Sequence, residues 1–275
     1  MGKGARRGYP VTSWSVINSL GSSTEAVRTG LRRGLPALSP VPEGTPFDAV
    51  CGAVDPNLAS LPDSIGEFDS RNSRFIYHAL AELDSAITAV RARWGAARIG
   101  ICVGSSTASM DEIEAAFFQH ADSGTFQPDF DVLASGSAYS LLRVLRAITH
   151  FEGPASVVSN AYASSGKAFA SAQRWLDAGV VDAVLVGGAD SLCQMTLRGF
   201  RSLGLLCEGA SRPFSQHRSG INIGEGAAFA LLEREGEGPR LLGAGESSDA
   251  HHMTRPIPRA PERDAPCRSQ WMLPT

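Results

Sequence analysis

No apolar run in the 275-residue chain approaches the roughly 18 residues a membrane-spanning helix needs; the longest are patches such as "VVDAVLVGGA" and "GAAFALL". Charge of one sign is also missing. The formal net charge is −3, with 25 basic and 28 acidic residues, so no nucleic-acid or anionic-membrane footprint is expected. The basic start "MGKGARRG" has no apolar stretch behind it, as a signal peptide would, and Arg6 stands where a myristoylation signal wants Ser or Thr. Cysteines are few. Cys51, Cys102, Cys193, Cys207 and Cys267 are scattered, odd in number and without a CxxC pair, which reads as reduced thiols of a cytoplasmic protein. Six histidines form no HExxH or other ligand spacing, so no metal is expected.

Several chemical motifs are absent too. There is no Walker sequence, no GxSxG elbow and no GxGxxG, and "GINIGEGAA" reads as a turn between elements. "SSGK" (164–167) matches SxxK, with Ser164 as nucleophile and Lys167 one turn on as base. No SDN or KTG follows it, and the competing reading is that Ser164 and Ser165 cap and fill a helix start.

What is present is an ordinary globular composition, 43% hydrophobic and 19% charged, arranged as alternating strands and helices. Helices are expected over 24–34 (Thr24 as cap, Gly34 as stop), 73–95, 110–120, 138–153 and 163–178, with a short one at 196–204. In 73–95, Phe75, Ile76, Leu80, Leu83, Ile87 and Val90 make a single stripe. Strands are expected at 47–54, 98–104, 155–160, 182–190, 226–235 and 240–247; the continuous apolar run at 182–190 suits a strand covered on both faces. Segments 35–46 and 207–224 read as loops. The class is α/β with a mostly parallel sheet. Residues 1–254 are expected to form one domain, and 255–275, with five prolines and no periodicity, a disordered tail.

The stretch "VVSNAYASSGKAF" (157–169) poses the functional question. A β-branched run ends in Ser159-Asn160, small residues follow, and a helix begins: the strand-to-helix corner where α/β enzymes often place a nucleophile. The residue at the corner is Tyr162.

Four blocks in order carry a resemblance: "GPASVVSNAYASSGKAFASA", "AGVVDAVLVGGADSL", "GFRSLGLLCEGASRPFSQHRSGINIGEGAAFALLERE" and "SSDAHHMTRPIP". From about Val11 to Pro258 the chain resembles the first half of a β-ketoacyl-acyl-carrier-protein synthase, the elongating condensing enzyme of fatty-acid and polyketide assembly. The resemblance implies a thiolase-like fold of two similar halves, usually dimeric, with strand 155–160 pairing across the two-fold axis. It implies decarboxylative Claisen condensation with malonyl carrier protein, with no cofactor. A cysteine at a helix N-terminus takes the acyl group, since the helix end favours thiolate and oxyanion. Two second-half histidines stabilise the carbanion. It implies acyl carrier protein as partner, and a homodimer or a heterodimer with a complete synthase. Phe200 falls at the acyl-pocket gate position.

The chain departs from that pattern in three places. Tyr162 occupies the cysteine position. An unperturbed phenol has a pKa of about 10 against about 8.5 for a thiol, so it is the poorer acyl acceptor. Nothing after Pro258 resembles the histidine blocks. The first strand has Ser13-Trp14-Ser15 where a Gly-x-Gly turn is expected, and Ser215, His217 and Ser219 stand at acidic positions. Three readings of Tyr162 follow: a core or interface aromatic, a catalytic tyrosine of new chemistry, or the relic of an active site. Two functions follow: a condensing enzyme in altered form, or a non-catalytic, chain-length-factor-like partner of an active synthase.

Overall fold

The computed structural model describes residues 8–126, 130 and 137–247. The expected tail at 255–275, the 254/255 boundary and Cys267 lie outside the described residues. Strand β1 (Tyr9–Asn18) leads into α1 (Thr24–Arg33), a short pair β2 (Ser39–Pro40) and β3 (Val50–Cys51), then α2 (Arg71–Ala81) and α3 (Asp84–Trp94). There follow β4 (Ile99–Gly104), α4 (Met110–Ser123), α5 (Tyr139–Thr149), β5 (Ala155–Val158) and α6 (Ser164–Asp177). The last are β6 (Ala183–Asp190), α7 (Gln194–Ser202), β7 (Gly226–Glu233) and β8 (Arg240–Leu241).

One six-stranded sheet runs β5-β4-β6-β7-β1-β8. Strands β5, β4 and β6 are parallel, whereas β7 is antiparallel to both β6 and β1, and β8 is antiparallel to β1. The α/β class holds, but the expected mostly parallel sheet covers only the β5-β4-β6 side. The reason lies in the connections. Helices carry the chain from β4 to β5 and from β5 to β6 back to the same end of the sheet, which permits a parallel return. After β6 the chain does not cross back: the loop that follows α7 delivers Gly226, the start of β7, beside Asp190, the end of β6. β6 is buried on both faces along most of its length, as its apolar run implied.

Element ends follow local chemistry. The Ser23 hydroxyl, not Thr24, caps α1 by accepting the Ala26 N–H at 3.2 Å, and Gly34 closes it in the left-handed region (φ 66°). The stripe expected over 73–95 is buried throughout, yet the helix is two helices, broken at Glu82-Leu83. At the break the Glu82 carboxylate accepts the Thr24 N–H at 3.1 Å, tying α1 to α2. Helix α5 stops at His150 (φ 55°) rather than Gly153, because the Thr149 hydroxyl bonds back to the Leu145 carbonyl and takes the Phe151 N–H. The strands expected at 47–54 and 240–247 shrink to Val50–Cys51, paired with Ser39–Pro40, and Arg240–Leu241, paired with Tyr9–Pro10; next to the first, Gly52 adds a single parallel bridge to Gly224.

The two faces of the sheet are covered unequally. Helices α2, α3 and α5 close one face, around Phe75, Leu80, Leu145, Phe151, Leu185 and Phe229. The other face carries α6, whose Ala168, Ala172 and Leu176 pack on Cys102, Val184, Val186 and Leu232.

Candidate functional site

The corner between β5 and α6 is built from main chain. The Ala163 N–H bonds the Asn160 carbonyl at 3.0 Å and closes a turn whose third residue is Tyr162. That position has φ 64°, a left-handed conformation that suits glycine or asparagine and is an outlier for a bulky residue. The Tyr162 side chain stands 89% exposed, and its ring meets that of Phe200 on α7 edge-on, centroids 6.5 Å apart at 78°. Both sequence-selected positions, Tyr162 and Phe200, are therefore brought together.

Two glycines seat the helix. A side-chain carbon at Gly104, the end of β4, would lie 2.5 Å from the backbone of Ser164 and Ser165, and one at Gly188 on β6 would strike the Gly104 carbonyl. The first turn of α6 thus rests on the carboxyl ends of β4 and β6.

The SxxK pair does not work as a pair. The Ser164 hydroxyl donates to the Asn160 carbonyl (2.8 Å) and accepts the Asn160 N–H (3.0 Å), so it braces the turn. The helix-capping position itself is Ala163, with no side-chain bond. The Lys167 ammonium lies 3.2 Å from Glu246. Ser165 is the exposed hydroxyl of that turn and lines a cavity of about 260 Å3 with Val16, Asn18, Asp190 and Ala228.

Asp190 organises the neighbouring loop. One carboxylate oxygen accepts from the Ser105 hydroxyl (2.7 Å), the Ser106 and Thr107 N–H groups (2.8 and 2.7 Å) and the Thr107 hydroxyl (2.9 Å). Glu225 of "GEGAA" is buried and pairs with Arg71, while its oxygens accept the Val54 N–H (2.9 Å) and the Leu192 N–H (3.1 Å). These carboxylates fix loops around the corner. Sequence reasoning passed over both, because each binds main-chain and side-chain groups distant in sequence. At the 207–224 loop, hydroxyls do the same work: Cys207 Sγ lies 2.8 Å from the Ser219 oxygen, and the Ser215 hydroxyl takes the His217 N–H at 3.1 Å. Ser13-Trp14-Ser15 lies within β1, beside a bulge at 11–13, rather than in a turn.

No alternative thiol or metal centre appears among the described residues. Cys51, Cys102, Cys193 and Cys207 are all buried, and burial pushes the Cys102 thiol up to about 11, where it is inert at neutral pH. No three His, Cys, Asp or Glu side chains converge on a point among the described residues. No described helix is long and apolar enough to cross a membrane.

Beside α6 runs an open apolar trough of about 230 Å3, with Trp14, Val16, Phe169, Val186, Ala228 and Ala230 on its walls. Ser165 of the first turn of α6 also lines it.

Comparison with known proteins agrees with this geometry. The chain is 28% identical over 268 residues to nodulation protein E of Rhizobium meliloti (strain 1021), covering 92% of this chain and 66% of that protein. It is 30% identical over 182 residues to 3-oxoacyl-[acyl-carrier-protein] synthase 2 of Vibrio harveyi, covering 58% and 42% respectively. Among solved structures, a ketosynthase (ApeO) in complex with its chain length factor (ApeC) from Xenorhabdus doucetiae superposes with a TM-score of 0.83 at 34% identity, covering 91% of this chain and 64% of that one. The chain thus spans about two thirds or less of the length of these relatives, and its fold is thiolase-like in the part they share. The beta-ketoacyl synthase N-terminal domain family matches residues 11–237, and this chain belongs to that family.

Proposed function

We propose that this chain serves fatty-acid or polyketide assembly as the first half of a β-ketoacyl-acyl-carrier-protein synthase whose corner no longer takes an acyl group. One observation carries the reading: the family's nucleophile position, at the N-terminus of α6, holds Tyr162 in a left-handed turn with its ring against Phe200. The helix end that would favour a thiolate has no thiol to act on, and the four described cysteines are buried elsewhere. In this reading Phe200, whose ring meets that of Tyr162, is the gate of the acyl pocket. Condensation with malonyl carrier protein, in the family's terms, requires groups from a second half that these residues do not supply.

Incubation with acyl carrier protein charged with an acyl group, followed by mass spectrometry of the peptide containing Tyr162, tests the reading. No adduct is expected. A stoichiometric acyl adduct on that peptide overturns it.

A second reading is a non-catalytic, chain-length-factor-like partner in a heterodimer with a complete synthase in the cytoplasm, with acyl carrier protein visiting the pair. Two observations favour it: the tyrosine at 162, and the edge strand β5, whose outer backbone groups are unpaired within the sheet and offer a template for a mate. Co-expression with an intact synthase distinguishes the two readings. Co-purification in equal amounts supports the partner, and a chain that elutes alone in the presence of the synthase excludes it.

A further inference from the structure

Helix α7, which carries Phe200, is weakly anchored. Leu197 is its only buried residue, and its capping position, Cys193, offers no side-chain bond to the helix N–H groups. The thiol instead lies 3.0 Å from the Thr196 hydroxyl. The orphan donors are taken from another helix: the two Glu114 carboxylate oxygens accept the Gln194 N–H at 2.7 Å and the Met195 N–H at 2.5 Å. A carboxylate at a helix N-terminus satisfies the donors and opposes the positive end of the dipole. Glu114 sits on α4, a fourteen-residue helix with no buried residue of its own. The near end of α4 is tied to the same loop, where the Ser191 hydroxyl donates to the Ala108 carbonyl at 3.0 Å and meets Asp111. Two thinly packed helices are therefore joined through one bidentate carboxylate. The far end of α7 is steadied by Arg201, whose guanidinium lies over the Phe47 ring, 5.5 Å from its centroid.

We propose that Glu114 is a positioning residue for the corner: by capping α7 from α4 it fixes where Phe200 stands, and so sets which chain lengths can reach position 162. The inference rests on the reading of Phe200 as the gate. It adds that the gate's position is set by a carboxylate on another helix, eighty-one residues away in sequence at Met195.

The test uses the full chain carrying Tyr162→Cys, alkylated with iodoacetamide or with N-decyl iodoacetamide. The thiolate introduced at position 162 forms a C–S bond to the methylene carbon, the C–I bond breaks, and iodide leaves with the electron pair. The rate ratio of long to short reagent reads the gate. Adding Glu114→Ala should change that ratio at least about threefold while the iodoacetamide rate stays near its starting value. Hydrogen exchange at the first-turn amides of α7 should quicken in the same variant. Glu114→Gln keeps the volume and one acceptor oxygen, and should fall between; it also serves if the alanine variant does not fold. Phe200→Ala is the control. If Phe200→Ala moves the ratio and neither Glu114 variant does, the role of Glu114 is overturned while the gate stands. If Phe200→Ala leaves the ratio unchanged, the gate reading falls and this inference falls with it. Unchanged amide exchange in Glu114→Ala also overturns it, because the cap then does not hold α7.

Discussion

The closed face of the sheet and the open face differ in what their residues are for. On the closed face, large side chains such as Phe75, Phe151 and Phe229 are almost wholly buried between sheet and three helices. On the open face the packing residues of α6 are mostly alanines, Trp14 is 53% exposed, and the Tyr162 corner holds a conformation its residue does not favour. The large buried side chains lie on one side, and the exposed aromatic groups of Trp14 and Tyr162 on the other.

The largest expected effect tests that division directly. Phe75→Ala, on the closed face, should cost about 3–5 kcal/mol, a large part of a typical domain's stability. Trp14→Ala, on the open face, should cost no more than about 0.5 kcal/mol, because it removes a ring already half in water. The urea midpoints of the two variants check this, and similar losses would erase the distinction. Light scattering adds a second reading: the parent chain should self-associate through its open apolar trough, and Trp14→Ala should reduce that association.

A smaller effect, of opposite sign, belongs to the corner. A left-handed non-glycine residue carries roughly 1–2 kcal/mol of strain, and asparagine tolerates that region. Tyr162→Asn should therefore stabilise the chain by about 0.5–1 kcal/mol, since little ring burial is lost. Tyr162→Val, β-branched, should destabilise it. Thermal unfolding of both decides the matter; a destabilised asparagine variant would mean that the Phe200 contact outweighs the backbone strain.

How much of this was legible in the sequence depends on the range of the interaction. The stripe of Phe75, Leu80 and Ile87 announced the closed face, since its period is local. The break at Glu82 escaped, because its partner Thr24 lies on another helix. The corner at Tyr162 was legible as strand, small residues and helix, but its backbone angle was not, since a tyrosine does not signal φ above zero. Gly104 and Gly188 could have been found: one ends and the other lies near the end of a buried strand against which a helix must pack. Glu114, Asp190 and Glu225 could not: each bonds main-chain N–H groups, which every residue except proline has, and the side chains that join them on Asp190 and Glu225 (Ser105, Thr107 and Arg71) lie more than eighty residues away.

The smallest effect compares the two ends of the sheet through their carboxylates. At the end away from the corner, the Arg98 guanidinium, with Arg234 beside it, holds the Asp182 carboxyl below the usual range. That group's contribution is present above the unfolded value near 4 and is lost as pH falls through the depressed value. At the corner's end, burial raises Asp111, and burial together with the charge of Asp111 raises Glu112. Their contribution is fully present below the unfolded values and is lost as pH rises through the raised ones. Asp182→Asn should therefore lower the urea midpoint at pH 7 and matter progressively less as the medium is acidified below about pH 4. Asp111→Asn keeps an acceptor for the Ser191 hydroxyl and removes the buried charge, so it should hold or raise the midpoint at pH 7 and lose that advantage near pH 4. Midpoints for the parent and both variants at the two pH values settle the signs. If both variants lose stability at pH 7 and recover it in acid, the Asp111 carboxylate is stabilised by its neighbours more than burial penalises it, and the two ends of the sheet do not differ in sign.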